Sequence, residues 1–162
     1  MPPISDPKLD PTRHLLRHTL VALAYRARKT LRDAPESFAA FQVGEAGTRS
    51  PLEIVSHMGD VFDWALALSR GGEVAWRENE PRLWDLEVER FFAALEALDG
   101  FLASGAAVPA ERLFQGPIAD VLTHVGQLAM LRRLAGAPIQ GENYFKAEIA
   151  VGQVGWETGT EA

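Results

Sequence analysis

The sequence predicts an all-α fold, in the form of an antiparallel four-helix bundle with long connecting loops and a coil C-terminal segment. Three observations favour it. Four segments of the 162-residue chain repeat apolar residues at steps of three and four, no segment alternates like a strand for long, and residues typical of helix ends stand at several segment boundaries. Four helices of about 20 residues around one core suit a single domain, residues 1–162.

The first two predicted helices have clear start signals. Asp10 precedes a proline, which pairs a capping side chain with a residue that fits the first helical position, and the segment runs over about 11–32. The second helix covers about 51–70. It follows Ser50, and Glu53 stands where it can complete a capping box.

The third predicted helix covers about 81–104, and the fourth runs from Gly116 to Gly136. The fourth is apolar on nearly every side, which predicts that it is buried. Residues 137–162 are expected to pack as coil with one helical turn, and their last few residues to be disordered. Asn143 and Tyr144, which follow the end of the fourth helix, are candidates to fold back over a site on that helix.

Composition excludes several classes of function. Lys and Arg number 16 against 22 Asp and Glu, so the net charge of −6 predicts neither nucleic acid nor an anionic membrane surface as a partner. The chain has no cysteine, which excludes disulfides, Cys-zinc sites and a thiol nucleophile of its own. The sequence shows no signal peptide and no apolar run long enough for a membrane span, so we expect a cytoplasmic protein.

Two histidines and an aspartate are the candidate ligands of a metal ion. Asp120 and His124 stand four residues apart, on one face of the fourth helix, and His57 lies on the apolar side of the second. Two ligands on one helix and a third from a facing helix can build a mononuclear site for Zn²⁺, Ni²⁺, Fe²⁺ or Mn²⁺. Asp60 and Asp63 are candidate hydrogen-bond partners of the ligands, or solvated residues.

Simpler interpretations of these residues stay open. Asp120 lies in the first turn of its helix, where a carboxylate is favoured without a metal, and His124 could be a core histidine bonded to it. His14 and His18 are expected on the surface of the first helix. Trp64 is a core aromatic residue or the wall of a pocket.

Two stretches resemble one protein family. The segment LEIVSHMGD, residues 52–60, is similar to the second helix of the DinB-like (DNA-damage-inducible) superfamily, with its histidine in mid-helix. The segment DVLTHVGQL, residues 120–128, is similar to the fourth helix of that family, where the pattern H-x-x-x-H-x-G-Q is usual. The resemblance extends from the first helix through Gly136.

The resemblance implies an antiparallel four-helix bundle that holds one divalent metal ion through three histidines. His57 matches the first ligand and His124 the last, while Asp120 stands where the family has its middle histidine. Asp120 would ligate either directly or through a water. Gln127 is expected to hydrogen-bond within the bundle rather than to ligate.

Family members of known activity include mycothiol-dependent maleylpyruvate isomerases and bacillithiol transferases. The resemblance therefore implies a divalent-metal-dependent enzyme, a thiol-dependent S-transferase or isomerase, with a low-molecular-weight thiol and a small electrophile as its partners. Members are often homodimers, which implies a homodimer here. The alternatives are a non-catalytic, stress-related bundle or dimeric scaffold with a structural metal ion, and a bundle in which Asp120 and His124 form a hydrogen-bonded pair without metal.

Overall fold

The computed structural model describes residues 10–44 and 47–158 of the chain, and within these ranges all regular structure is helical, with no strand. The all-α class is thereby confirmed. The predicted disorder of the last residues falls on 159–162, outside the described residues. The long helices are α1 (Pro11–Leu31), α2 (Pro51–Ser69), α3 (Trp84–Ala103) and α5 (Ala119–Leu134), and the short helix α4 (Ala110–Leu113) precedes α5.

Capping side chains start α1 and α2 at the predicted positions. The Asp10 carboxylate accepts a hydrogen bond from the backbone N–H of Thr12, at 3.0 Å. At α2, Ser50 Oγ accepts from the Glu53 backbone N–H at 3.3 Å, and Glu53 Oε2 accepts from the Ser50 N–H at 2.7 Å. This reciprocal capping box satisfies two N–H groups that the first helical turn leaves unpaired.

The last helical stretch begins earlier than its sequence predicts. The chain is already helical in α4, and a π-helical stretch, Phe114–Ile118, joins α4 to α5. Pro117 therefore lies inside a helix rather than at its start. Proline lacks an N–H, and its ring crowds the preceding helical turn. The wider π-helical turn accommodates the ring and the missing hydrogen bond.

The prediction that this helix is buried on all sides is wrong. One side of α5 packs into the core, whereas the side chains of Met130 and Leu134 are 53% and 55% exposed. Apolar residues on the other sides of α5 thus remain in contact with solvent. This is ordinary, because apolar atoms make up roughly 55–60% of the accessible surface of a folded protein.

The long helices pack around one apolar core: α2 contacts α3 and α5, and α1 contacts α3 and α5. Arg13 at the start of α1 donates to the carbonyl of Leu102 at the end of α3, at 2.7 Å, and Arg17 pairs with Asp99 one turn back, so α1 and α3 run in opposite directions. Near the ends of α1 and α5, Arg132 donates to the carbonyl of Thr30, and near their starts Leu16 and Gln115 line one cavity, so these two helices run in the same direction. A uniformly antiparallel bundle is therefore not confirmed.

The C-terminal segment packs as coil with one 3₁₀ turn, Tyr144–Lys146, as expected for its described part. It is tied to α1 by Arg28, whose guanidinium donates to the carbonyl of Gly155 at 2.7 Å. Tyr144 does not fold over the candidate ligands as expected: its ring contacts Tyr25 and Arg26 of α1. None of the described helices is long and apolar enough to cross a membrane.

Candidate metal centre

The structure brings the three predicted ligands together. His57 lies in the second turn of α2, and Asp120 and His124 lie in the first two turns of α5. One ligand atom from each side chain lies within 4.8 Å of the others. Asp120 Oδ2 stands between the two imidazoles, 3.4 Å from His57 Nε2 and 3.5 Å from His124 Nε2. The three side chains therefore form a group that could hold a metal ion.

The separations between these atoms suit a shared cation better than direct hydrogen bonds. Two ligand atoms that coordinate Zn²⁺ at 2.0–2.1 Å in tetrahedral geometry lie about 3.4 Å apart. An N–H···O hydrogen bond is shorter, about 2.9 Å. Both Nε2–Oδ2 distances, 3.4 and 3.5 Å, match the first value. The Asp120–His124 separation is thus longer than a usual hydrogen bond, and the three ligand atoms, which span up to 4.8 Å, would draw closer together to share one ion.

The other nitrogen of each imidazole faces an oxygen acceptor. His57 Nδ1 lies 3.0 Å from Glu78 Oε1, and His124 Nδ1 lies 2.8 Å from Gln127 Oε1. A carboxylate can only accept, so His57 carries its proton on Nδ1, and the same holds for His124 against the amide oxygen. In the neutral rings Nε2 then presents a lone pair, the state that ligates a metal. Gln127 makes the hydrogen bond expected of it.

Glu78 is a component of the site that the sequence did not reveal. It lies in the loop between α2 and α3, and its Oε1 also accepts a hydrogen bond from Arg49 Nη2 at 2.6 Å. The next residue fixes the loop, since the N–H and side-chain amide of Asn79 both donate to Asp60, at 3.0 and 2.7 Å. A glutamate in an irregular loop, 21 residues after its histidine, carries no spacing signal.

Asp60 and Asp63 do not reach the candidate ligands. Both pair with Arg90 of α3, Asp60 at 2.9 Å and Asp63 at 3.2 Å. The Asp60 side chain is only 2% exposed. Burial raises the pKa of Asp63 above its ordinary value, with a further rise from the neighbouring carboxylates and an opposing effect from Arg90. Because Asp60 accepts both hydrogen bonds from Asn79, it supports the site indirectly, through the loop that carries Glu78.

His14 and His18 are exposed on α1, as predicted, and their rings stack on each other at 6.5 Å. They lie apart from the candidate ligands, so they offer a matched control for histidine substitutions.

A cavity of about 600 Å³ opens onto two of the ligands, His57 and Asp120. Trp64 lines it, as one interpretation of the sequence proposed, together with Trp76 from the loop after α2 and Pro117 from the π-helical stretch. The side chain of Asp120 is 47% exposed, whereas those of the two histidines are 14% and 13% exposed. The ligand group is thus buried on its imidazole side and open on its carboxylate side.

Comparison with protein-family models, with curated proteins and with solved structures gives no match. The resemblance to the DinB-like superfamily therefore stays a prediction that rests on the two sequence stretches.

Chemically, the site offers one carboxylate and two imidazoles, which ligate a metal in their neutral form. This mixed nitrogen and oxygen set carries a single negative charge and suits divalent transition metals rather than Ca²⁺, which prefers oxygen ligands alone. The donor set is compatible with Zn²⁺, Ni²⁺, Fe²⁺ and Mn²⁺ alike.

Proposed function

We propose that the protein is a metal-dependent enzyme that holds one divalent ion through His57, Asp120 and His124. The observation that carries the proposal is the arrangement of acceptors. Three acceptor atoms converge within 4.8 Å, and both imidazoles are held by their Nδ1 nitrogens with Nε2 facing the common point. A cation is the group that satisfies three converging acceptors.

The residues of the site would divide the work as follows. His57 and His124 ligate as neutral imidazoles, and Asp120 supplies the negative charge. Glu78 and Gln127 hold the ring orientations and make the nitrogens better donors to the ion. Bound there, a divalent ion lowers the pKa of a thiol or water in the cavity and orients it toward an electrophile.

Within this function we propose a thiol-dependent S-transferase or isomerase. The resemblance to the DinB-like superfamily supports that class. Since the chain has no cysteine, the thiol would be a separate small molecule, and a small electrophile would be the second substrate. We also propose that the protein is a cytoplasmic homodimer. Its four long helices would form one bundle that contains two antiparallel pairs.

A purely structural ion predicts a closed coordination sphere. The exposure of Asp120 and the cavity that reaches it favour an open position instead. The cavity is therefore the reason to prefer an enzyme over a scaffold.

Metal content tests the ligand set. We would purify the full chain without an affinity tag, measure bound metal by elemental analysis, and titrate the chelated protein with Zn²⁺ against a competing indicator. The expected result is about one ion per chain, with at least a hundredfold loss of affinity in His57→Ala and in His124→Ala. The matched control is the double variant His14→Ala/His18→Ala, which removes the exposed histidine pair and should bind as the parent does.

Unchanged affinity in both site variants would refute the metal centre. For catalysis, the metal-loaded protein is screened with small thiols and electrophiles, and the same two variants should lose any thiol transfer or isomerisation that is found. Metal binding without activity against such a panel, together with melting that depends on metal, would favour the structural ion.

A further inference from the structure

We propose that the cavity beside the candidate ligands binds a flat, uncharged aromatic group, lodged between Trp64, Trp76 and Pro117, as the body of the electrophile. The identification of this group with a substrate rests on the proposed function. The binding itself depends only on the cavity.

The walls of the cavity are arranged for an aromatic guest. The rings of Trp64 and Trp76 meet edge to face at 5.8 Å, and Trp76 meets His57 in the same way at 5.5 Å. Trp76 remains 44% exposed, so much of this large ring is free to contact a guest rather than packed in the core. Aromatic groups pack on one another in offset and edge-to-face contacts of this kind. A planar ring is therefore the guest that completes the cluster.

Two polar side chains of the wall donate their hydrogen bonds within the protein. Trp64 Nε1 donates to the carbonyl of Val74 at 2.9 Å, and Thr123 Oγ1 donates to the carbonyl of Asp120 at 2.6 Å. The cavity volume of about 600 Å³ lies in the range of small-molecule sites. Apolar packing rather than polar recognition thus dominates this wall.

Charge then decides against an anionic guest. No lysine or arginine is among the described residues that line the cavity, and its one carboxylate is Asp120. Arg49 on the far side of His57 is already paired with Glu78. In the metal-free cavity, a carboxylate on the guest would lose its hydration and face Asp120 without gaining a partner from the protein, which is costly. A cationic guest would have to compete for Asp120 with the ion that the ligand group holds.

The test uses the four tryptophans as reporters. The ¹⁵N-labelled full chain, both after chelation and after loading with Zn²⁺, is titrated with 2-naphthylmethanol, 2-naphthoate and 2-naphthylmethylammonium. Each indole N–H gives one NMR signal, assigned by Trp→Phe variants. We expect the alcohol to shift the signals of Trp64 and Trp76 but not those of Trp84 and Trp156, which pack against Phe38 and Phe92 elsewhere. Relative to the alcohol, the carboxylate probe should bind at least about tenfold more weakly to the chelated protein, and the ammonium probe at least about tenfold more weakly to the protein with Zn²⁺ bound.

A variant supplies the second line of evidence. Trp76→Ala should weaken the binding of 2-naphthylmethanol at least about tenfold, because the substitution removes one aromatic wall of the cavity. Phe145→Ala is the control, since Phe145 is 97% exposed and does not line the cavity. If Trp76→Ala does not fold, the NMR titration of the parent protein still tests the proposal.

Equal or tighter binding of the carboxylate probe by the chelated protein, or of the ammonium probe by the Zn²⁺-loaded protein, would contradict the proposal. Shifts confined to Trp84 and Trp156 would contradict it as well. The same titration separates it from the metal centre. If the alcohol binds as described while Zn²⁺ does not bind, the metal-dependent function fails and the aromatic cavity stands. If Zn²⁺ binds and the alcohol does not, the substrate class proposed here is wrong and the metal centre stands.

Discussion

Removing the carboxylate of Glu78 should weaken metal binding although Glu78 is not a ligand. Its Oε1 lies 3.0 Å from His57 Nδ1 and fixes that ring with Nε2 toward Asp120. Partners of this kind are typically worth 10- to 100-fold in metal affinity. The Glu78 side chain is 49% exposed, so solvent screens part of its effect. We therefore expect Glu78→Ala to lower the Zn²⁺ affinity by the lower end of this range, about tenfold, which is about 1.4 kcal/mol.

The measurement is a Zn²⁺ titration of the chelated protein against a competing indicator. Glu78→Gln keeps an oxygen acceptor and loses the charge, so its affinity should fall between those of the parent and Glu78→Ala. Glu73→Ala removes the same charge from an exposed position of the same loop, and should have no effect. If Glu78→Ala bound Zn²⁺ as tightly as Glu73→Ala, the contact with His57 would have no role in the site.

Three further predictions concern the ion cluster that supports the loop. Arg90→Ala should lower the free energy of unfolding in urea by about 3 kcal/mol, because Asp60 and Glu87, 2% and 1% exposed, lose a partner; no change would refute the role of the cluster. Burial raises the pKa of Glu87, but hydrogen bonds from its arginine partners outweigh this and leave it below its ordinary value. The stability from Glu87 is therefore present above the unfolded pKa of about 4.3 and is lost as the pH falls through the lower folded pKa, so acid titrations of Glu87→Gln should lack this component. Gly59→Ala should destabilise the protein, because the new Cβ would lie 2.9 Å from Arg90 Cζ and would displace a guanidinium that is bonded to Asp60 and Glu87. Gly100→Ala, with open space around its Cβ, should instead stabilise α3 by about 0.5–1 kcal/mol, and thermal melting of both variants checks the contrast.

Helix positions could be predicted where local chemistry decides them. The caps at Asp10 and Ser50 act within three residues of the chain, so the sequence contains the whole interaction. The start of the last helical stretch could not be predicted in this way. Pro117 is favoured at a helix start and disfavoured inside a helix, and only the π-helical stretch around it reverses that preference.

The direction of the helices also lies beyond local patterns. Apolar periodicity shows which face of a helix is buried but not which neighbour covers it. The polar contacts of Arg17 with Asp99 and of Arg132 with Thr30 fix the relative directions, and each joins residues more than 80 positions apart.

The site was predictable to the extent that helical spacing places side chains. Asp120 and His124 are neighbours because residues four apart share a helix face, and His57 joins them because α2 packs on α5. Glu78 and Trp76 come from an irregular loop, where no period relates sequence position to direction. Their place depends on the Asn79–Asp60 contacts, which are tertiary.

The loop between α2 and α3 therefore links stability to the site. The guanidinium of Arg90 neutralises Asp60, Asp60 accepts both hydrogen bonds from Asn79, and the adjacent Glu78 orients His57. If this chain of contacts operates as a unit, Asp60→Asn should weaken Zn²⁺ binding and lower stability together, although Asp60 does not touch the ligand group. A loss of stability with unchanged Zn²⁺ affinity would show instead that Glu78 is held by Arg49 alone, and that the loop does not transmit the state of the ion cluster to the candidate metal centre.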